Sequence, residues 1–512
     1  MAGTRLAFQS RAALNESFHM NRFLMGAAVL ALRLSTGSAA ECPELTTLRL
    51  ANTEITVAEQ VAAGAFVPAG TEPSAAMLAR FKNLPAFCRV AGAAHPTPDS
   101  DIRFEVWLPA AGWNGKFVGV GNGAWAGSIP YLSLIDPLNN RYAVAATDTG
   151  HRGDASNARF ASGHPQQFAD FGYRAVHEMT VAAKAVIQAF YGSKAQRALF
   201  ASCSTGGRQA LMEAYRYPED YDAISSMAPA NPMVALMVSS LWTGSATAKN
   251  PASRISSAQF ELAHRAAVAA CDARDGVTDG IIAAPLRCAF DPATLPLTPA
   301  QITALRAIYE GPRNPRTGIS ILPGFERGSE SLLPVQASGS GPFPAVASYF
   351  RDLVFNNPQW DFRTFDYDKD VVRAQRAHGE IVDVPPQGLG PYLASGRKLL
   401  LSHGWADPLV PPRSSVNFYQ ALPDATANAR LFMIAGMSHC EGGEGPYVFD
   451  PVATIDAWVE TGRAPERIVV SNPANALPRT RPVCAFPREA VYLGRGSTDD
   501  EQNFRCEASD AR

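Results

Sequence analysis

The sequence predicts an α/β protein: a mainly parallel sheet with helices on both faces, interrupted by a large insertion. Two observations lead there. Short apolar runs alternate with amphipathic helical patterns from Ile102 to about Ala230, and the pattern returns at Arg397. Between those stretches, residues 233–395 break the rhythm. They hold helical patches, a Gly/Pro/Ser-rich segment from Gly311 to Pro344, and the aromatic segment SYFRDLVFNNPQWDFRTFDYD. Repeated β-α-β alternation buries one stripe of each helix against a sheet, which favours parallel strands covered on both sides.

The elements follow in order. RFEVWLP and KFVGVGNG read as strands, and YAVAATDTG is an apolar run ending in turn residues. GYRAVHEMTVAAKAVIQAFYG then places Val176, Met179, Ala183, Val186, Ile187 and Phe190 on one face at helical spacing. RALFASCS and DAISSMAPA are the next strands. After the insertion, RKLLLSHGWADPLVPP gives a strand, a loop and a helix. ARLFMIAGMSHC is a further strand and DPVATIDAWVETG a helix. The expected organisation is an N-terminal extension with an export signal (1–40), a first sheet segment (41–232), an inserted lid (233–395) and a second sheet segment (396–512).

Composition narrows the function. The 512 residues are 46% hydrophobic and 18% charged, with a net charge of −2, as in an ordinary globular enzyme. No basic excess calls for nucleic acid, and no run of ~20 apolar residues calls for a membrane span. The expected partner is a small molecule; oligomeric state is not legible. Arg22 precedes an apolar run, Phe23 to Leu32, and then RLSTGSAA. Ser38 and Ala40 suit cleavage after Ala40, although Arg33 interrupts the pattern. Residues 1–19 do not belong to that pattern, so Met20 is the better start. Cys42 stands one position too late for a lipid anchor. The chain is therefore expected to be secreted or periplasmic. Its eight cysteines all follow the cleavage site, which suits an oxidising compartment, and by number alone they allow 105 pairings.

The turn between RALFASC and the helix after it is the place for a nucleophile. In an α/β-hydrolase the nucleophilic serine sits on a sharp strand-to-helix turn within G-x-S-x-G. Here the aligned residues are Ser202-Cys203-Ser204-Thr205-Gly206. A plain helix N-cap at Ser204 is the competing reading. A serine hydroxyl needs a base, and the base needs an orienting carboxylate. Asp407 follows the strand KLLLSHG and His439 follows RLFMIAG, in the Ser, Asp, His order this fold uses. His151 and His177 lie upstream of Ser204, the wrong order, and His403 lies within strand residues as a packed or hydrogen-bonded group. Cys203 precedes the serine and Cys440 follows the histidine. Hydrogen-bond reach between Ser and His, ~2.6–3.2 Å, is compatible with the Cα spacing of a disulfide, ~4.4–6.8 Å. Cys203–Cys440 would then staple nucleophile to base.

This CS…D…HC arrangement resembles the tannase and feruloyl esterase family of α/β-hydrolases. So do GWNGKFVGVGNGAWAG, GYRAVHEMT, CSTGGRQALMEAYRYPEDYD and GMSHCEGGEGP. The likeness runs from about Cys42 to Cys506. It implies Ser204 as nucleophile, His439 as general base and then acid, and Asp407 as the orienting carboxylate. The backbone N–H groups of Thr205 and Gly123 would form the oxyanion hole. Family members carry Gly where this chain has Ser202. The resemblance supports Cys42–Cys88 and Cys484–Cys506 as further disulfides.

In CDARDGVTDGIIAAPLRC, Asp272, Asp275 and Asp279 surround two glycines, and Cys271 and Cys288 flank the loop and would close it. Three carboxylates in a bent loop suit Ca²⁺, which prefers oxygen ligands, and equally suit a solvated acidic turn. The resemblance implies a structural Ca²⁺ in the lid, with the carbonyls of Val277 and Ile281 as added ligands and no organic cofactor. For substrate contacts, the aromatics Trp242, Tyr349, Phe350, Phe355, Trp360 and Phe362 could form a slot, or could be core. Arg351 could meet a substrate carboxylate, or form a structural ion pair. The family implies esters of aromatic acids: feruloyl or galloyl esters first, a terephthalate monoester second. A non-catalytic secreted binding protein on the same scaffold, and acyl transfer to an alcohol, are the alternatives.

Overall fold

The computed structural model describes residues 40–68, 74–423 and 425–508. The expected start at Met20 and the export signal fall on residues 1–39, outside the described residues.

Nine strands form one sheet in the order β1-β2-β3-β5-β4-β6-β7-β8-β9. They are β1 (Thr53–Val61), β2 (Phe87–Ala94), β3 (Ile102–Pro109), β4 (Lys116–Gly119), β5 (Ala143–Thr147), β6 (Arg197–Cys203), β7 (Ala223–Met227), β8 (Lys398–Gly404) and β9 (Ala429–Ile434). From β5 through β4 to β9 every pairing is parallel. The β1-β2-β3-β5 edge is antiparallel. The seven strand runs read from the sequence are β3 to β9. β1 and β2 have no counterpart among those runs.

Alternation along each strand feeds two cores, because successive side chains point to opposite faces. Phe117, Leu399 and Leu401 join one core, and Val118 and Leu400 join the other. The first core receives the helix Ala175–Tyr191 through Val176, Met179, Ala183, Val186 and Ile187, while Phe190 at its end is half-buried. The second receives the helix Pro451–Thr461 through Ile455 and Trp458. Truncating a fully buried leucine such as Leu400 to alanine would cost roughly 2–5 kcal/mol.

Between β7 and β8 the chain contributes no strand to this sheet. The helices Ser257–Cys271 and Pro299–Glu310 start on reciprocal capping boxes, Ser256 with Gln259 and Thr298 with Gln301. They share a core built on Phe260, Leu305, Ile308 and Phe325. This segment and the sheet belong to one compact unit. After the sheet come two antiparallel hairpins, β10 (Arg467–Ser471) with β11 (Thr480–Cys484) and β12 (Arg488–Tyr492) with β13 (Phe504–Ala508).

All eight cysteines are paired: Cys42–Cys88, Cys203–Cys440, Cys271–Cys288 and Cys484–Cys506.

Candidate active site

Ser204 occupies the turn between β6 and the helix Thr205–Arg216, with φ 63° and ψ −125°. A non-glycine residue there is strained, and such strain persists only where the surroundings over-determine it. They do so here. Ser204 N–H donates to Met227 O at 3.0 Å, and Ser204 O accepts from Arg208 N and Ala230 N, each at 3.0 Å. The hydroxyl makes no cap bond to the helix, so the N-cap reading does not hold. Ser202 fits where a glycine is usual because its neighbours have no side chain. A Cβ on Gly206 would lie 2.0 Å from Ser202 Oγ, and one on Gly121 would lie 3.1 Å from it.

The residues after β9 and β8 supply the partners. His439 Nδ1 lies 2.6 Å from Asp407 Oδ2. Asp407 is fully buried, and its Oδ1 accepts from Leu409 N at 2.7 Å and Val410 N at 2.9 Å. Burial opposes charge on both groups, but their mutual attraction prevails. The Asp407 carboxyl is held well below the usual range, where His403 also contributes, and the His439 imidazole is raised above its ordinary value. A ring nitrogen of His439 lies within 4.8 Å of the Cys203 and Cys440 sulfurs. Ser204 and His439 line one cavity of ≈ 1180 Å³.

Gly123 and Thr205 line the same cavity. Gly206 N–H is committed to Asn122 O at 2.7 Å, and Asn122 N–H to Gln209 Oε1 at 2.9 Å. Those two bonds lash the glycine-rich loop to the helix behind Ser204. Among the described residues no acceptor takes the N–H of Thr205 or of Gly123, so both stay available to a ligand oxygen.

The model of the family described as Tannase and feruloyl esterase matches residues 88–507. The chain belongs to the tannase and feruloyl esterase family. It is 37% identical to an uncharacterized esterase of Xanthomonas campestris pv. campestris, over 94% of this chain and 93% of that relative. It is 30% identical to the mono(2-hydroxyethyl) terephthalate hydrolase of Piscinibacter sakaiensis, over 83% of this chain and 85% of the relative. The crystal structure of feruloyl esterase B from Aspergillus oryzae superposes with a TM-score of 0.84 at 25% identity, covering 91% of this chain and 99% of that one. The fold is that of the α/β-hydrolases, and the activity of this esterase family is carboxylic ester hydrolysis.

In this esterase the expected aromatic slot is not at the cavity. Arg351 and Trp360 do not line it, and neither do Trp242, Tyr349, Phe350, Phe355 and Phe362. Arg351 pairs with Asp352, Nε to Oδ1 at 2.8 Å, because the adjacent carboxylate is the nearest counter-charge. Trp360 stacks on Phe355 with ring centroids 5.2 Å apart, half-buried against a core that the segment shares with Trp125, Phe168 and Phe171. The aromatics that do line the cavity are Trp125, Phe343 and Phe449. Trp125 was within reach of sequence reasoning, in GNGAWAG beside Gly123; Phe343 sits in the Gly/Pro/Ser-rich segment, where no periodicity marks it. One wall comes from the helix Met233–Ala248, whose Met233, Leu236, Met237 and Ser240 share a face at helical spacing.

The acidic loop supplies only oxygen donors. Asp272 accepts from Gly280 N at 2.9 Å, and Asp275 from Val277 N at 2.9 Å. Asp279 is also engaged by Arg481, 2.5 Å away. No hydrogen-bond donor among the described residues reaches the carbonyl oxygens of Val277 or Ile281, although both residues are buried. Carboxylates and carbonyls are the ligand types of a hard cation such as calcium, but Asp272, Asp275 and Asp279 do not each bring a carboxylate oxygen within 4.8 Å of the others, and Asp279 is paired with Arg481. Of the other histidines, His177 bonds Asp220 at 2.6 Å and His151 stacks on Phe160; neither lines the cavity.

Proposed function

We propose that the protein is a secreted serine esterase that hydrolyses aromatic carboxylic esters of the feruloyl or galloyl type through an acyl-enzyme. The arrangement that carries this reading is the Asp407–His439 pair facing the cavity that Ser204 enters from a strained turn. His439 takes the Ser204 proton through the ring nitrogen not bound to Asp407, and Oγ attacks the ester carbonyl. The Thr205 and Gly123 N–H groups receive the oxyanion, where losing one such donor typically costs ~3 kcal/mol. The protonated His439 gives its proton to the leaving alcohol. Water, deprotonated by His439, then releases the acid and restores Ser204.

The cavity favours an uncharged aromatic acyl group. Met233, Leu236, Met237, Phe343, Val346, Leu409 and Val410 give it apolar walls, and among the described residues no lysine or arginine lines it. Its ionisable lining groups are Asp136, His439, Glu441 and Asp450. A terephthalate monoester would bring a carboxylate with no cation to meet it, at a desolvation cost. That substrate, suggested by the Piscinibacter relative, ranks second for this reason. Calcium held by Asp272, Asp275, Asp279 and the carbonyls of Val277 and Ile281 would brace the loop and take no part in the chemistry. The four disulfides suit an exported protein, and no described helix is long and apolar enough to cross a membrane.

The test is one assay comparing methyl ferulate, methyl gallate and mono(2-hydroxyethyl) terephthalate, with Ser204→Ala as control. Turnover of the first two, lost in the control, is expected. Preference for the terephthalate monoester would overturn the ranking, and turnover surviving in the control would overturn the mechanism.

A further inference from the structure

We propose that His403 is a positioning residue for the esterase reaction, setting how strongly Asp407 acts on His439. The inference rests on the triad reading above. His403 lies on β8, four residues before Asp407, and is fully buried. Both ring nitrogens are bonded. Nε2 lies 3.0 Å from Asp407 Oδ2 and 3.1 Å from Val410 O. Nδ1 lies 2.7 Å from Ser415 Oγ, on the buried face of the helix Arg413–Gln420. Two acceptors face Nε2, and a carbonyl or carboxylate cannot donate, so Nε2 carries the hydrogen. In the neutral ring the Ser415 hydroxyl donates to Nδ1.

Asp407 thus receives four hydrogen bonds. Leu409 and Val410 N–H groups fill Oδ1, and the two imidazoles, His439 and His403, share Oδ2. Those two are the titratable side chains that bond it. Each donor draws charge from the carboxylate. His403 therefore fixes the direction in which Oδ2 points and tempers the negative charge that His439 feels. Its loss leaves Oδ2 with a lone pair free in a site closed to water, and more charge directed at His439. The imidazolium is then held more tightly, so the base form of His439 appears only at higher pH. His403 does not line the cavity, so substrate binding is not its business.

Two substitutions separate this from plain packing. His403→Gln keeps an N–H close to the Nε2 position, and His403→Leu removes the donor at similar bulk. We expect the leucine variant to lose roughly 10–100-fold in kcat with KM little changed. Its acid limb of kcat/KM should move upward by about half a pH unit or more. The glutamine variant should recover most of kcat and return the limb toward that of the unsubstituted protein. Equal losses in both variants with an unmoved limb would overturn the proposal, and so would an unaltered leucine variant. If neither folds, Ser415→Ala frees the ring from its second anchor. It should shift the limb in the same direction by less, and an unmoved limb there would count against His403. Labelling of the unsubstituted protein by a serine-directed phosphonate keeps the two readings apart. Labelling at Ser204 with unmoved limbs sinks His403 alone; no labelling sinks the triad.

Discussion

Cys203 and Cys440 hold their Cα atoms 5.9 Å apart across a sequence separation of 237 residues, and each is the immediate neighbour of a proposed catalytic residue. Ser204 follows one and His439 precedes the other. Ser204 and Cys440 both adopt positive φ, 63° and 67°. The bond therefore joins two strained turns that different parts of the sheet deliver.

Removing that bond should cost both stability and rate. Replacing both cysteines, Cys203→Ala with Cys440→Ala, is expected to destabilise by roughly 2–5 kcal/mol, read by denaturant titration. In the folded fraction kcat should drop at least about tenfold with KM nearly kept, because orientation of the pair suffers more than the binding walls. An unchanged kcat would mean the bond is only a brace.

The pH profile follows from the direction of the His439 shift. Only the neutral imidazole can accept the serine proton, and Asp407 raises His439 above 6.5. Activity should therefore be low in acid and rise with pH through a midpoint above that value. Asp407→Asn removes the charge responsible, so the midpoint should fall while kcat drops roughly 10⁴-fold. A midpoint that ignores this substitution would detach Asp407 from His439.

Gly121 is required by a close approach. A Cβ there would stand 2.4 Å from Gln209 Oε1 and 2.6 Å from Gly206 Cα. Gly121→Ala should push the loop off the helix and carry the Gly123 N–H away from its place. The expected loss is roughly 10²–10³-fold in kcat, the size of one missing oxyanion donor. Gly153→Ala is the contrast, since nothing lies within 4 Å of a Cβ at that position and the residue does not line the cavity. Its kcat should stay close to that of the unsubstituted protein.

Calcium should act on stability alone. Incubation with EGTA is expected to lower the thermal midpoint by several degrees, and added Ca²⁺ to restore it. At low temperature kcat should change little. Asp275→Asn should blunt the response to both reagents. A chelator without effect on the midpoint, together with no calcium in the purified protein by elemental analysis, would leave the loop as an acidic turn.

The parallel part of the fold was legible because its strands are short apolar runs set between periodic helices, and the parallel sheet leaves β5 buried along its whole length. β1 was not. Its TEITVAEQV alternates with only Ile55 fully buried, as befits an edge strand, and such a pattern reads as loop. At the site, Ser204, Asp407 and His439 were readable from chain order and turn residues. The cavity walls were not, because Met233, Leu236 and Met237 look like core in any helix. His403 was visible as a buried strand histidine, but its partner is set by how the chain turns back after β8, which periodicity does not report.

The most direct test is intact mass followed by peptide mapping after reaction with a serine-directed fluorophosphonate. One adduct, on the peptide containing Ser204 and absent from Ser204→Ala, is the expected result. No adduct, or one on another serine that persists in the Ser204→Ala protein, would contradict the assignment of Ser204 as the nucleophile.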